Sequence, residues 1–358
     1  MTDPAIAEVE ERIRGAARER RALRIRGGGT KDFYGESLEG EPLDVRAIRG
    51  IVSYEPAELV VTAKGGTPLD EVEQALAEHG QMLAFDAPRY GDGTTLGGAV
   101  ASGLSGPRRP YAGAIRDFVL GTEVIDGTGT SLAFGGQVIK NVAGFDVSRL
   151  MTGALGTLGV LTRISLKCLP RPKAETTRLL SCDAATALRL MNEWGGKPLP
   201  ISATSHERGE LRVRLSGTPS ALASAAAVIG GSEIDATSYW NALRDQTLQY
   251  FRALPPEDAS LWRLSVRSTA PMFASHAETL IEWGGALRWL VARERVDARE
   301  IRAWAAENGG HATLFRGADK SPGVFQPLPA PLAQLHARLK QVFDPHGILN
   351  PGRMYAAH

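Results

Sequence analysis

The sequence predicts an α+β protein of two principal parts, and three observations carry that prediction. Segments of period-2 alternation, clearest at Leu211, Val213 and Leu215, are interleaved with helical stripes such as Leu69, Val72 and Leu76. A chain of 358 residues has room for about two domains. The composition then shifts at Pro170-Arg171-Pro172, which marks a boundary between them. Apolar content of 43% beside 23% charge fits a soluble globular chain. A net charge of +1 excludes the global field of a nucleic-acid binder. The two cysteines, Cys168 and Cys182, form no CxxC and cannot build a zinc cage or an iron–sulfur site alone, so no metal is expected. The N-terminal run lacks the apolar core of a signal peptide, and no stretch is long and apolar enough to span a bilayer. The expectation is a cytoplasmic protein, peripheral at the inner membrane face only through partners.

Taken in order, Asp3 and Pro4 open a helix whose Ile6, Val9 and Ile13 share one face. Residues 23–26 form a short strand, residues 27–30 a glycine turn, and residues 48–54 and 59–63 two strands. Thr67, Pro68 and Asp70 start a second helix that stops at Gly80. Residues 118–125 form a strand, and Asp126-Gly127 turns it into residues 131–134. Beyond the boundary, residues 221–229 form a small-residue helix and residues 286–291 a buried strand. Asp297 and Glu300 start a helix with Ile301 and Trp304 inward. Tryptophans 283, 289 and 304 read as core. Near the end, Leu332, Leu335, Leu339 and Val342 mark a helical face that breaks at Asp344-Pro345-His346-Gly347.

The chain is organised around residues 137–166. Gly144, Gly153, Gly156 and Gly159 sit between apolar runs there, and residues 160–166 alternate like a half-buried strand. Glycines leading into a strand suit backbone that approaches something closely, though a plain turn before a core strand has the same look. Two earlier stretches can hold a phosphate. Arg26-Gly27-Gly28-Gly29-Thr30-Lys31 follows a strand and can present backbone N–H groups to a pyrophosphate, with Lys31 adding charge; the alternative is a simple turn. It is neither a P-loop nor GxGxxG. Residues 94–103, TTLGGAVASG, suit a helix N-terminus against an anion, or close helix packing through small residues. The histidines are scattered, among them His79, His206, His276, His311 and His346, with no ligand-like spacing and no Ser/His/Asp or HExxH arrangement.

In order, these pieces resemble the flavoprotein family of vanillyl-alcohol oxidase and p-cresol methylhydroxylase. RGGGTK is similar to that family's pyrophosphate loop, and DAPRYGDGTTLGGAVASG (86–103) to its second FAD segment. YAGAIRDFVLGTEVIDGTG (111–129) is like the strand that follows. KNVAGFDVSRLMTGALGTLGVLT (140–162) is like the segment passing the ribityl chain and isoalloxazine. FDPHGILNPGRMY (343–355) is similar to the C-terminal return of the hydroxy-acid dehydrogenases. With ENGGHATLFRG, the whole looks most like the E-subunit branch of the glycolate oxidases.

The resemblance implies a two-lobed FAD-binding domain of the PCMH type over residues 1–170. It adds an α+β cap with an antiparallel sheet over 171–328 and a tail, 329–358, returning to the FAD domain. It implies FAD binding by Arg26, Gly27, Gly28, Gly29, Thr30, Lys31, Pro88, Thr94, Thr95, Gly97, Gly98, Ser102, Gly103, Arg116, Asp117, Gly156, Gly159, Val160 and Asn350. Many relatives attach FAD through a histidine near the first glycine loop; Thr30 and Lys31 stand there instead, so non-covalent FAD is implied. The implied activity is oxidation of glycolate, a small 2-hydroxy acid, by hydride transfer to flavin while a base takes the hydroxyl proton. A D-type flavoprotein subunit and an iron–sulfur subunit would be the partners. Where metal-using relatives carry a histidine pair and a Glu-His-Gly turn, this chain has Glu307-Asn308-Gly309-Gly310-His311. The D-type subunit is then the expected catalyst, and no catalytic residue is assigned here. A stand-alone oxidase would need a clamp, with Arg288, Arg316 or Arg353 as its candidates. A scaffold with an empty cleft fits the retained glycines less well, and a Rossmann dehydrogenase would need a fingerprint and a ribose acid that the sequence lacks.

Overall fold

The computed structural model describes residues 3–136, 146–252, 259–274, 278–292 and 296–355. Residues 137–145, with most of the KNVAGFD run and Gly144, and also His276, lie outside these. The chain forms two units, one of Met1–Ser105, Gly113–Pro170 and Pro327–His358, the other of Gly106–Ala112 and Arg171–Gln326.

In the first unit, helix Pro4–Glu19 starts where Asp3 accepts the Ala5 N–H at 3.0 Å, with Pro4 needing no partner for its missing donor. Its apolar stripe of Val9, Ile13 and Ala16 packs on the parallel pair Leu23–Arg26 and Glu41–Asp44. The C-terminal tail extends that pair. The Leu23 amide donates to the Ile348 carbonyl at 2.7 Å, and the Asn350 amide to the Leu23 carbonyl at 2.9 Å.

The other lobe is a five-stranded antiparallel sheet in the order Ile51–Glu55, Val60–Lys64, Val160–Lys167, Val119–Ile125, Ser131–Gly135. The hairpin at Asp126-Gly127 is fixed by the Asp126 carboxylate, which accepts the Thr128 and Thr130 amides at 2.8 and 3.0 Å. Strand Val160–Lys167 has neighbours on both edges; Arg163 and Lys167 stay half-exposed as its alternation suggests, while Thr162 and Ser165 are buried. Thr162 and Ser165 are satisfied internally, the first by the Glu123 carbonyl at 3.1 Å and the second by Thr62 at 2.8 Å.

Helix Ala330–Phe343 follows the C-terminal stripe in sequence but not in burial. Leu332, Leu335 and Val342 are 47%, 51% and 72% exposed, while Lys340 and Phe343 are buried. The physical reason is polar. The Lys340 ammonium is drawn inside by the carbonyls of Thr157 and Leu349 and by the Asp344 carboxylate, at 2.6–2.8 Å.

The second unit is built on an eight-stranded antiparallel sheet. Its order is Ser232–Ile234, Ala174–Ser181, Glu210–Gly217, Ile201–Glu207, Glu278–Glu282, Leu287–Ala292, Ser260–Ser265, His311–Arg316. Leu211, Val213 and Leu215 face helices Ala184–Gly195 and Pro219–Ile229, and Trp262, Leu264 and Leu314 face helix Ala298–Glu307. The alternate residues Arg212 and Arg214 point to the opposite face and stack on Tyr239 and Trp240 at 4.2 and 5.1 Å. Trp283 and Trp289 are buried, and Trp304 packs edge-on against Phe273. Among the described residues no helix is long and apolar enough to cross a membrane.

Candidate cofactor-binding site

Strand Leu23–Arg26 delivers the chain into the glycine loop at one end of the small lobe. Gly29 turns it with φ 72°, a conformation that costs any residue with a Cβ, and a Cβ there would meet the Arg26 guanidinium at 2.4 Å. The loop is then braced from three sides. Arg26 Nε donates to Asp32 Oδ2 at 2.9 Å, and the Thr30 and Thr94 hydroxyls share a hydrogen bond of 2.9 Å. Arg353 donates to the carbonyls of Lys31, Asp32 and Glu36 at 3.1, 2.9 and 3.0 Å. Burial lowers the Arg353 pKa first, with Asp32 pulling the other way. Among the described residues the amides of Gly28, Gly29 and Thr30 donate to no protein acceptor. A braced loop with unspent N–H donors is what a pyrophosphate needs.

Helix Leu96–Ser102 lies beside the loop, with Thr95 as its N-cap accepting the Gly98 amide at 3.1 Å. The sequence suggested that its N-terminal amides would serve an anion. They do not: Leu96 donates to the Thr67 carbonyl at 2.8 Å and Gly97 to the Gly65 carbonyl at 2.7 Å. The helix contributes shape instead, presenting Gly98 and Ala101 as a wall without bulk.

The third wall is the turn before strand Val160–Lys167. Leu155 and Gly156 adopt φ of 50° and 73°, held by the Leu155 amide on the Ala101 carbonyl at 2.9 Å. Asn350 organises this corner. Its Oδ1 accepts the Ile25 amide at 2.7 Å and its Nδ2 donates to the Leu155 carbonyl at 2.6 Å. Its side-chain amide therefore ties strand to turn, where the resemblance implied a cofactor contact.

Two adjoining clefts of about 450 and 550 Å³ run between these walls. Of the residues implied by resemblance, Arg26, Gly27, Gly28, Gly29, Thr30, Lys31, Thr95, Gly97, Gly98, Ser102, Gly156, Gly159, Val160 and Asn350 line them. Pro88, Thr94, Gly103, Arg116 and Asp117 do not. Thr94 stands behind Thr30, its hydroxyl donating to the Arg89 carbonyl at 2.6 Å, and Gly103 ends the helix with φ 66°. Arg116 lines a separate cleft with Arg149 and His336, and Asp117 accepts the Ala114 amide at 2.9 Å. Residues missed in the sequence are Ile25, Val45, Gly65, Ala101, Leu155 and Leu161, which line the clefts, and Asp32, which braces the loop; Arg353, a clamp candidate in the sequence, braces it too. Only Gly65-Gly66 carried a signal, as a glycine pair ending a strand.

In the second unit the arginines proposed as a clamp have other work. Arg288 is buried and donates to the carbonyls of Gly285 and Ala270 at 2.6 and 3.1 Å, and burial brings its pKa down to about 10. Arg316 lies over the Phe315 ring, and Arg353 belongs to the first unit. Among the described residues no three His, Cys, Asp or Glu side chains gather as metal ligands.

Residues 5–135 match the FAD binding domain family and residues 316–354 the C-terminal domain of FAD linked oxidases. The fold agrees with that class. An alkyldihydroxyacetonephosphate synthase structure superposes with a TM-score of 0.68 over 96% of this chain and 75% of that one, at 16% identity, a likeness of fold alone. The glycolate oxidase subunit GlcE of Escherichia coli (strain K12) is 48% identical over 346 residues, 97% of this chain and 96% of that protein. The chain belongs to the GlcE family of FAD-linked oxidoreductases. The glycolate oxidase subunit GlcD of Bacillus subtilis (strain 168) is 32% identical over 129 residues, 36% of this chain and 27% of that protein. FAD is thus the cofactor, and the glycine-lined clefts with their unspent amides fit it.

Proposed function

We propose that this chain is the FAD-bearing subunit of a multisubunit glycolate oxidase that converts glycolate to glyoxylate. A D-type flavoprotein subunit works beside it, and an iron–sulfur subunit receives the electrons. The complex operates in the cytoplasm and meets the inner membrane face through its partners. The observation that carries this reading is the glycine-lined cleft with its unspent loop amides, in a chain whose described residues gather no metal ligands. Bound FAD supplies two-electron acceptance. The protein's own part is to hold it. The amides of Gly28, Gly29 and Thr30, with Lys31 lining the same cleft, take the pyrophosphate. Gly98, Gly156 and Val160 flank the remainder without polar competition.

The cofactor is held without a covalent bond, because a threonine and a lysine occupy the loop position of the linking histidine. Acid precipitation should therefore carry all the yellow colour into the supernatant; flavin kept in the pellet would refute this.

The subunit alone is expected not to oxidise glycolate at a useful rate. Among the described residues no metal-ligand cluster is assembled to activate the hydroxyl group. The experiment is anaerobic mixing of the flavin-loaded chain with excess glycolate. Activity that appears only on adding the D-type and iron–sulfur subunits supports the reading. Bleaching of the flavin band by the lone chain at the full complex's turnover rate overturns it.

A further inference from the structure

The first unit carries an apolar face that FAD binding leaves unused, on helix Ala330–Phe343. Six large apolar side chains are exposed among the described residues, and three of them, Leu332, Leu335 and Val342, stand on this one helix. Apolar residues scattered singly over a surface need no explanation, but a row of them does. With the half-buried Leu339 they follow one another at intervals of three, four and three residues. That is the a/d alternation of a coiled-coil seam, sustained for about two heptads. Lys340 and Phe343 hold the helix to the first unit by its other side, the lysine on the Thr157 and Leu349 carbonyls and the phenylalanine edge-on against Phe134. The seam therefore looks outward.

A cleft of about 760 Å³ runs along the inner edge of the seam. His336 and Leu339 form one wall, and Leu150, Leu158 and Met354 add apolar surface. The face is thus a ridge beside a hollow. Such a relief interlocks with side chains of another protein, whereas a bilayer surface would leave the hollow unfilled. A helix seated in a membrane interface also needs a strongly charged polar face. This one has Arg338 and Lys340, and the lysine is held inside.

Charge says what kind of protein fits. The helix contains no acidic residue, and His336 and Arg338 occupy the e and g positions that flank the seam. Arg116 and Arg149 stand at the cleft, where no acidic side chain lines the wall. Arg149 pairs with Asp146 at 3.2 Å, but Arg116 and Arg338 pair with no carboxylate among the described residues. A second copy of this chain would bring Arg338 toward its own like charge. A partner with carboxylates beside its apolar stripe complements both flanks, which is how e and g residues select a partner.

We propose that helix Ala330–Phe343, with the cleft beside it, docks an acidic amphipathic helix of a partner subunit. Apolar side chains of that helix pack on Leu335, Leu339 and Val342, and its carboxylates meet Arg116 and Arg338. That the partner is another subunit of the oxidase rests on the function proposed above; the helical, acidic chemistry does not.

The test uses the flavin-loaded, full-length chain in two ways. It is co-purified with the D-type and iron–sulfur subunits, and it is titrated by fluorescence anisotropy with a three-heptad peptide carrying leucine at a and d and glutamate at e and g. Leu335→Glu combined with Val342→Glu should weaken both interactions about tenfold or more, as loss of central apolar anchors does. Arg338→Glu should weaken them severalfold, and it carries the comparison if the double variant unfolds, since it alters no apolar contact. Val228→Glu, at an exposed apolar position of the second unit, should change neither. None of these positions lines the FAD clefts, so flavin absorbance should stay at the wild-type level. A glutamate peptide that does not bind, or a lysine version that binds equally well, overturns the proposal. A wild-type dimer, or sedimentation with phosphatidylglycerol vesicles, that disappears in the double variant assigns the face to a second copy or to lipid and overturns it too. Subunits that assemble as well with the double variant as with the wild type refute this surface and spare the function. A wild type that binds the peptide but neither subunit does the reverse.

Discussion

Gly98→Val is expected to yield a folded protein that binds no FAD. The expectation rests on which glycines the protein needs for itself. A Cβ on Gly28 would meet the Gly93 carbonyl oxygen at 1.8 Å, one on Gly65 the Leu161 oxygen at 2.0 Å, and one on Gly97 the Gly65 oxygen at 2.8 Å. On Gly159, at φ 154°, it would meet Val124 Cγ1 at 2.3 Å and the Ile125 oxygen at 2.8 Å. Those four allow chain segments to touch, and substituting them damages the fold as well as the cleft. Gly98 differs. Its Cβ would meet only the Thr95 hydroxyl, at 3.1 Å, while the residue lines both clefts. Valine is no worse a helix former than the glycine it replaces, so its isopropyl group acts on the ligand space rather than on stability. Purified Gly98→Val should show wild-type circular dichroism and no 450 nm band. Gly159→Val should lose both the flavin and the cooperative melting of the first unit. Full flavin occupancy in Gly98→Val would show that the cofactor does not run past this wall.

The local elements of this cleft were legible because their signals are local. Asp3 before Pro4, Thr95 before a small-residue helix, and Asp126-Gly127 between strands are each read within four residues, and each does what its chemistry allows. What could not be read depends on distant chain. Nothing near residue 96 reveals that the carbonyls of Thr67 and Gly65 will consume its helix's first amides. Asn350 could be placed at the cleft, but its use depends on Ile25 and Leu155, which lie 325 and 195 positions away. The alternation in 160–166 was visible while the two flanking strands that supply partners to Thr162 and Ser165 were not. The C-terminal stripe shows the same limit: hydrophobicity favoured Leu332 and Leu335, and a buried lysine decided the orientation of the helix.

That lysine gives the largest expected effect on stability. Lys340→Met should destabilise the first unit by about 3–5 kcal/mol and weaken FAD binding with no change to any residue lining the cleft. The Lys340 ammonium donates to the Thr157 carbonyl at 2.8 Å, the Leu349 carbonyl at 2.7 Å and Asp344 Oδ2 at 2.6 Å. Burial lowers its pKa, and the neighbouring Asp344 carboxylate counters that loss of hydration. Asp344, 1% exposed, also accepts the Ile348 and Leu349 amides at 3.1 and 2.8 Å. Methionine preserves much of the stem's packing volume, so the cost is electrostatic: a buried carboxylate without its cation and two carbonyls without a donor. The damage reaches the cofactor through the tail. Residues 348–350 pair with Leu23, Asn350 ties Ile25 to Leu155, and Arg353 holds the loop at Lys31 and Asp32. Loosening the start of that tail slackens the brace that keeps the Gly28, Gly29 and Thr30 amides in place. Adding Asp344→Asn to Lys340→Met removes the stranded charge and should recover part of the stability, the pairwise term a double-mutant cycle isolates. Urea unfolding of the two single variants and the double variant gives the energies, and flavin titration gives the affinity. A Lys340→Met protein with wild-type unfolding midpoint and wild-type flavin affinity would mean that the tail is held by its apolar contacts alone.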